Sequence, residues 1–221
     1  MRDRVAAELP AAWFDRIDET PDQQFYASPR FVQHLDDAAI AAVTEAVARH
    51  VAPGADVLDL MSSWVSHLPD AADLPLGRVV GVGMNAAELK ANPRLDAWLV
   101  RDLNEPPAGE PLLPFPAEAF NAVLITVSIQ YLTDPVAVLR DAARVLRPGG
   151  VLLVSLSDRM FATKATRVWQ ETPADTRPGL VSRYIELTAA FDPPATESPR
   201  PPRRGPTSAD PLWVVITRKR R

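Results

Sequence analysis

Val57-Leu58-Asp59-Leu60-Met61-Ser62-Ser63-Trp64-Val65-Ser66-His67-Leu68-Pro69 is the stretch on which the reading of this chain turns. An apolar run ending around Asp59 is what a strand buried on both faces looks like. The turn beyond the carboxyl end of such a strand is where open α/β sheets bind a dinucleotide or nucleoside. Glycines normally fill that turn, because they permit positive φ and let the backbone approach a ligand closely. Here Met61, Ser63 and Val65 stand where glycine would alternate. The stretch predicts the fold and, in the same residues, a ligand loop of altered chemistry.

Working outward, apolar residues Ile40, Val43, Val47 and Val51 recur at helical spacing after Asp36, an N-cap candidate, until Pro53 and Gly54 stop the helix. Strand one is expected over 56–60. A second buried strand over 78–83 (RVVGVG) should follow a short helix-length connection, and a third over 97–100 precedes Asp102. This is the βαβ rhythm of a parallel sheet. Beyond a proline-rich loop come a strand over 122–128, a helix over 134–146, the turn RPGG at 147–150 and a strand over 151–156. Helices are expected over 2–9, 161–169 and 180–191, and a closing strand over 212–217. Residues 1–35 are read as an N-terminal cap segment on an α/β domain over 36–221, with a mobile Pro/Arg-rich loop at 192–211.

The 221 residues suffice to bury a core without staples. Cysteine is absent, which removes thiol nucleophiles, disulfides and thiolate zinc sites. His34, His50 and His67 lack HxxH or HExxH spacing, so no metal is expected. A formal charge of -4 argues against nucleic-acid binding, and Arg203, Arg204 and the Arg218–Arg221 end read as a solvated basic tail. No apolar run approaches the ~18 residues of a membrane span, and the first residues lack a signal-peptide stretch. A soluble, cytoplasmic protein is expected.

Read together, VLDL (57–60), RVVGVG (78–83), RDLNEPP (101–107), LPFPAEAFNAVLITVSIQYLTDP (113–135) and VLRDAARVLRPGGVLLVSLSDR (138–159) resemble the class I S-adenosylmethionine-dependent methyltransferases, particularly the small-molecule type 11 kind. The resemblance covers roughly 36–158 and returns at the final strand. It implies a Rossmann-like, seven-stranded, mostly parallel sheet with helices on both faces, its last strand antiparallel, and S-adenosylmethionine lying over the carboxyl ends of the first strands. It also implies that Asp59 helps hold the methionine part of the cofactor and that Asp102 meets the adenine amino group. Ser128, Gln130 and Tyr131 would then lie where the fourth strand opens onto the substrate. Where the family carries a ribose-gripping carboxylate at the end of strand two, this chain has Gly83, with Asn85 the nearest polar substitute. Such a carboxylate makes two charge-assisted hydrogen bonds of roughly 1.5–3 kcal/mol each, so its loss is expected to weaken binding by about two orders of magnitude. Gly83→Asp is expected to restore it. Asn121 replaces a common Asp whose role is often structural.

Ser62 and Ser63 precede an expected helix start, where N–H groups and hydroxyls favour an anion or simply cap the turn. Trp64 either stacks on an adenine or fills its place. His67 is a general acid or base candidate, with Tyr131 and Asp59 as further groups able to assist deprotonation. Tyr26, Arg30 and His34 lie in the segment that in the resembled family closes over the site, and Arg159 and Lys164 are cations beyond the fifth strand suited to an anionic substrate.

Three functions compete. One is a small-molecule methyltransferase with an altered cofactor site. Another is a methyltransferase-fold catalyst that no longer uses the cofactor and performs a displacement, elimination or ring closure on an anionic molecule in natural-product biosynthesis. The third is a non-catalytic partner subunit, which would make a protein partner or homo-oligomer the relevant assembly.

Overall fold

The computed structural model describes residues 9–200 and 209–221. One seven-stranded sheet organises the chain: β1 (Val57–Leu60), β2 (Val79–Gly83), β3 (Ala97–Val100), β4 (Phe120–Thr126), β5 (Leu146–Leu156), β6 (Ala195–Arg200) and β7 (Leu212–Arg218). Their order in space is β3-β2-β1-β4-β5-β7-β6. The first five strands run parallel, with Leu58 beside both Val80 and Val123, whereas β7 is antiparallel to β5 and β6 to β7. Strand order therefore reverses direction between β1 and β4, and a sheet of this kind opens a ligand crevice at that switch point, beyond the carboxyl ends.

The helices are α1 (Asp22–Phe25), α2 (Asp37–His50), α3 (Ala86–Ala91), α4 (Pro135–Val145), α5 (Arg167–Glu171) and α6 (Arg177–Thr188). The two-residue period of the strands sorts their side chains to opposite faces. Val57, Leu124 and Leu153 pack with Val43 and Val47 of α2, while Leu58, Val123 and Leu152 pack with Leu139 of α4 and Ile185 of α6. Asp36 caps α2, its carboxylate accepting the Ala39 N–H at 2.7 Å. Asp134 caps α4 in the same way at 2.9 Å, with Pro135 in the first turn, where its missing N–H costs nothing.

Several local expectations are corrected. The β1–β2 connection contains no helix. Pro69 and Pro75 interrupt it, and Leu68 and Leu74 are buried as single anchors, so the chain crosses the sheet as turns. The turn at 147–150 is absorbed into β5 as an irregularity, with Gly149 at φ +77° and the register against β4 shifting between Phe120 and Ala122. Of the helix expected over 161–169 only Arg167–Glu171 forms, and its neighbour is α6 at 177–188. Part of the Pro/Arg-rich loop is the edge strand β6, which accommodates Pro199 at the sheet margin and is held by Glu197 to Arg49 and His50, each at 2.8 Å. Residues 2–8 of the expected first helix and the Arg203/Arg204 pair lie outside the described residues. Among the described residues no helix is long and apolar enough to cross a membrane.

Candidate functional site

A cavity of about 520 Å³ lies over the carboxyl ends of β1, β2, β3 and β4. The loop after β1 forms its centre. Met61 adopts φ +57°, so the backbone keeps the left-handed conformation that glycine would supply although the residue is methionine. Val127, just past β4 and also lining the cavity, has φ +48°, which is unusual for a β-branched residue. Strain thus collects on both sides of the switch point, as it does at ligand sites.

Asp59 is buried, and its Oδ2 accepts hydroxyls from Ser62 and Ser66, each at 2.6 Å. Burial pushes its carboxyl above the ordinary range and the two serine hydroxyls pull it back. Ser63 donates instead to Glu88 Oε2 at 2.6 Å, while Glu88 Oε1 accepts the Arg30 N–H at 2.7 Å. The serines therefore do not open a helix. Their hydroxyls bind carboxylates, which removes the helix-terminus anion cradle expected from sequence.

The end of β2 is closed in a particular way. A Cβ on Gly83 would stand 2.1 Å from the Ser62 carbonyl oxygen. The β1 loop thus occupies the direction in which a side chain at position 83 would project, and the expected gain from Gly83→Asp is overturned. Asn85 does not substitute for the missing carboxylate. Its Oδ1 caps α3 at Ala87 and Glu88, its amide donates to the Tyr26 and Ala27 carbonyls, and it does not line the cavity. The cavity carboxylate nearest in sequence to β2 is Glu88. Sequence reading missed it, although Asn85 followed three residues later by Glu88 is a helix-start pattern that signals a placed carboxylate.

Asp102 and Ser128 line the cavity beyond β3 and β4. Asp102 Oδ1 accepts the Asn104 and Glu105 N–H groups, while its buried Oδ2 and the buried Ser128 Oγ have no partner among the described residues. Buried polar atoms are almost always satisfied, so two orphans on one cavity mark places for ligand donors and acceptors. Asp102 Oδ2 is left free to accept a hydrogen bond.

Tyr26, Arg30 and His34 all line the cavity from the N-terminal side, as do Trp64, His67, Tyr131 and Arg159. Trp64 donates its indole N–H to Val32 O at 3.0 Å and meets Phe31 edge-on, which docks the 31–32 segment. Burial and neighbouring His34 lower the His67 pKa, and burial also lowers that of His34. Both rings are therefore neutral at pH 7, and His67 is able to accept a proton. The Tyr131 hydroxyl accepts the Phe161 N–H at 2.8 Å, and burial raises its pKa, so it stays protonated.

Two expected substrate residues lie elsewhere. Gln130 is buried and turns its amide to the Val127 carbonyl at 2.9 Å. Lys164 is fully buried, paired with Asp22 at 3.1 Å and donating to Thr20 O. Asp22, which does line the cavity, also holds Arg16 at 2.8 Å and accepts Asn104 Nδ2 at 2.9 Å. A lysine so enclosed is a tether between the 18–22 segment and the post-β5 loop, and no local sequence signal distinguishes it from a surface charge.

A methyltransferase domain model matches residues 58–154. The ubiquinone/menaquinone biosynthesis C-methyltransferase UbiE of Hahella chejuensis is 36% identical over 108 residues, 47% of this chain and 43% of that protein. The chain thus spans less than half the length of the curated relative it matches. Among solved structures, the [4+2]-cyclase SpnF superposes with a TM-score of 0.59 at 16% identity, covering 90% of this chain and 91% of the other. The Haemonchus contortus phosphoethanolamine N-methyltransferase 2, in complex with S-adenosyl-L-methionine, superposes with a TM-score of 0.56 at 13% identity, covering 81% and 52%. The sheet order and crevice agree with the matched central segment, and the chain has the Rossmann-like fold of the class I methyltransferases, with a glycine-free loop after its first strand.

Proposed function

We propose that the protein is a small-molecule methyltransferase that binds S-adenosylmethionine through an altered site. The observation that carries this reading is the buried, unpartnered Asp102 Oδ2, joined by the unpartnered Ser128 Oγ on the same cavity. Asp102 would accept the adenine amino group, Ser128 would bond the purine edge, and Asp59 would face the methionine end. With position 83 closed by the Ser62 carbonyl, Glu88 is the carboxylate left to meet the ribose, through rearrangement of its bond to Ser63. When bound, the cofactor supplies an electrophilic methyl group. The protein's part is to align the acceptor in line with it and to remove the acceptor's proton, for which neutral His67 is the available base. Tyr131, kept protonated, is suited to donating a hydrogen bond to the substrate.

A second reading, a catalyst that has given up the cofactor, draws support from the closed position beside Gly83. Calorimetry with S-adenosylmethionine and its demethylated product separates the two. Saturable binding that weakens about tenfold or more in Asp102→Asn, with folding intact, supports the methyltransferase, because a charge-assisted hydrogen bond is lost. No saturable binding at millimolar concentration overturns it in favour of the second reading.

A further inference from the structure

The charged side chains on the cavity divide by what they have left to offer. Asp22 is committed to Arg16, Lys164 and Asn104, Asp59 to two serines, and Glu88 to Ser63 and the Arg30 backbone. Asp36 caps α2 and accepts the Asp210 N–H. Arg101 spends its guanidinium on Glu110 and the carbonyls of Pro111 and Leu112. Two arginines are different. Arg30 donates Nη2 to the Phe25 carbonyl, but its Nη1 is buried without a partner among the described residues. Arg159 donates Nε to Asp210 Oδ1 at 2.9 Å, and no described residue accepts from its terminal nitrogens.

These two groups share one wall. Phe161 joins them: the Arg30 guanidinium lies 5.5 Å from its ring centroid, the His34 ring packs on it edge-on at 5.2 Å, and it follows Arg159 by two residues. Arg30 also lies over Phe25 at 4.5 Å and near Tyr26 at 5.7 Å, so aromatic faces fix its plane. A guanidinium fixed in this way, with a buried donor unspent, is prepared for a planar acceptor, and the bidentate partner that fits its fork is a carboxylate. Tyr26, Tyr131 and Phe161 supply flat apolar surface in the same cavity.

We propose that the substrate carries a carboxylate, gripped by Arg30 and Arg159 beside His34, with its planar body against the aromatic residues of that wall. This rests on the cavity being the substrate site, as in the methyltransferase reading, and it narrows the acceptor to aromatic acids, for which a hydroxybenzoate is a simple representative. Phosphate is the competing anion, and the test distinguishes it.

The probes are 4-hydroxybenzoate, its methyl ester and inorganic phosphate, titrated by calorimetry into the full chain. The expected result is saturable binding of the acid, about tenfold or more tighter than the ester or phosphate, with a comparable loss in Arg159→Gln. Arg159 is half exposed, and its buried partner Asp210 keeps the Asp36 N–H, so that variant disturbs the fold less than Arg30→Gln, which strips an aromatic-stacked guanidinium; a urea melt of Arg159→Gln checks that it is folded. S-adenosylmethionine affinity should be unchanged in Arg159→Gln. Equal binding of acid and ester, preference for phosphate, no saturable binding of any probe, or an unaffected Arg159→Gln overturns the proposal. Acid binding retained where the cofactor fails to bind would refute the methyltransferase reading and leave the carboxylate grip standing.

Discussion

Replacing Gly83 by alanine adds one methyl group at the end of β2, and the structure says what it meets. The new Cβ would lie 2.1 Å from the Ser62 carbonyl oxygen, against the 3.4 Å at which ordinary contact begins. The obstacle is backbone, so relief requires the β1 loop to move. That loop is held by Ser62 N–H to Val82 O at 2.8 Å, by the Ser62 hydroxyl on Asp59, and by Asn92 Nδ2 on the Ser63 carbonyl at 2.9 Å. Overpacking costs about 1–3 kcal/mol, and each neutral hydrogen bond stretched or broken adds about 1 kcal/mol. A destabilisation of about 2–4 kcal/mol follows, which for a chain of this size lowers Tm by about 5–15 °C. Gly81→Ala is the control. Its Cβ would meet the tip of Leu95 at 2.5 Å, a flexible side chain that can turn aside, so the loss should be less than half as large. Urea unfolding and calorimetric melts of both variants supply the comparison. A Gly83→Ala melt within about 1 °C of the parent, or a folded Gly83→Asp that binds S-adenosylmethionine more tightly, would refute the claim that the loop closes this position.

Lys164→Met should cost about 1.5–3 kcal/mol in urea unfolding, because Asp22 keeps Arg16 but loses one charge-assisted hydrogen bond; a loss below about 0.5 kcal/mol would mean that the pair is solvated. At Met61, glycine should be near-neutral, within about 1 kcal/mol, since relief of left-handed strain offsets lost packing, whereas Met61→Val should be clearly worse because a β-branched residue resists positive φ. The order reversed would show that the loop is not strained. Burial keeps the His34 and His67 pKa values below the ordinary 6.5. The unfolded chain therefore protonates first on acidification, and the stability present above about pH 6.5 is lost progressively toward the lower folded values. Asp59, raised by burial, acts in the opposite sense, its folded form holding a proton more readily than the unfolded one. His67→Gln should flatten the decline of urea midpoints between about pH 7 and 5, and an unaltered slope would place the titration elsewhere.

The central strands were legible in the sequence because each is an apolar run, and burial writes itself into composition without reference to distant residues, whereas the edge strand β6, with the sequence ATESPR, reads as a loop. Val57–Leu60 and Val79–Gly83 could be read this way, Ala97–Val100 is an apolar run exposed on one face, and the cap at Asp36 announced its helix. Strand order and the antiparallel last strand came from resemblance, since periodicity does not specify neighbours. Tertiary structure alone decided the rest. Pairing of Ser62 and Ser66 with Asp59, of Ser63 with Glu88 and of Lys164 with Asp22 joins residues whose closeness depends on how loops cross the sheet. The glycine at 83 reads in sequence as a lost carboxylate, yet in the folded chain it is the space that the Ser62 carbonyl needs. Local preferences specify elements, whereas the path of a loop, and hence which polar atoms stay unpartnered for a ligand, is settled only when distant segments compete for the same volume.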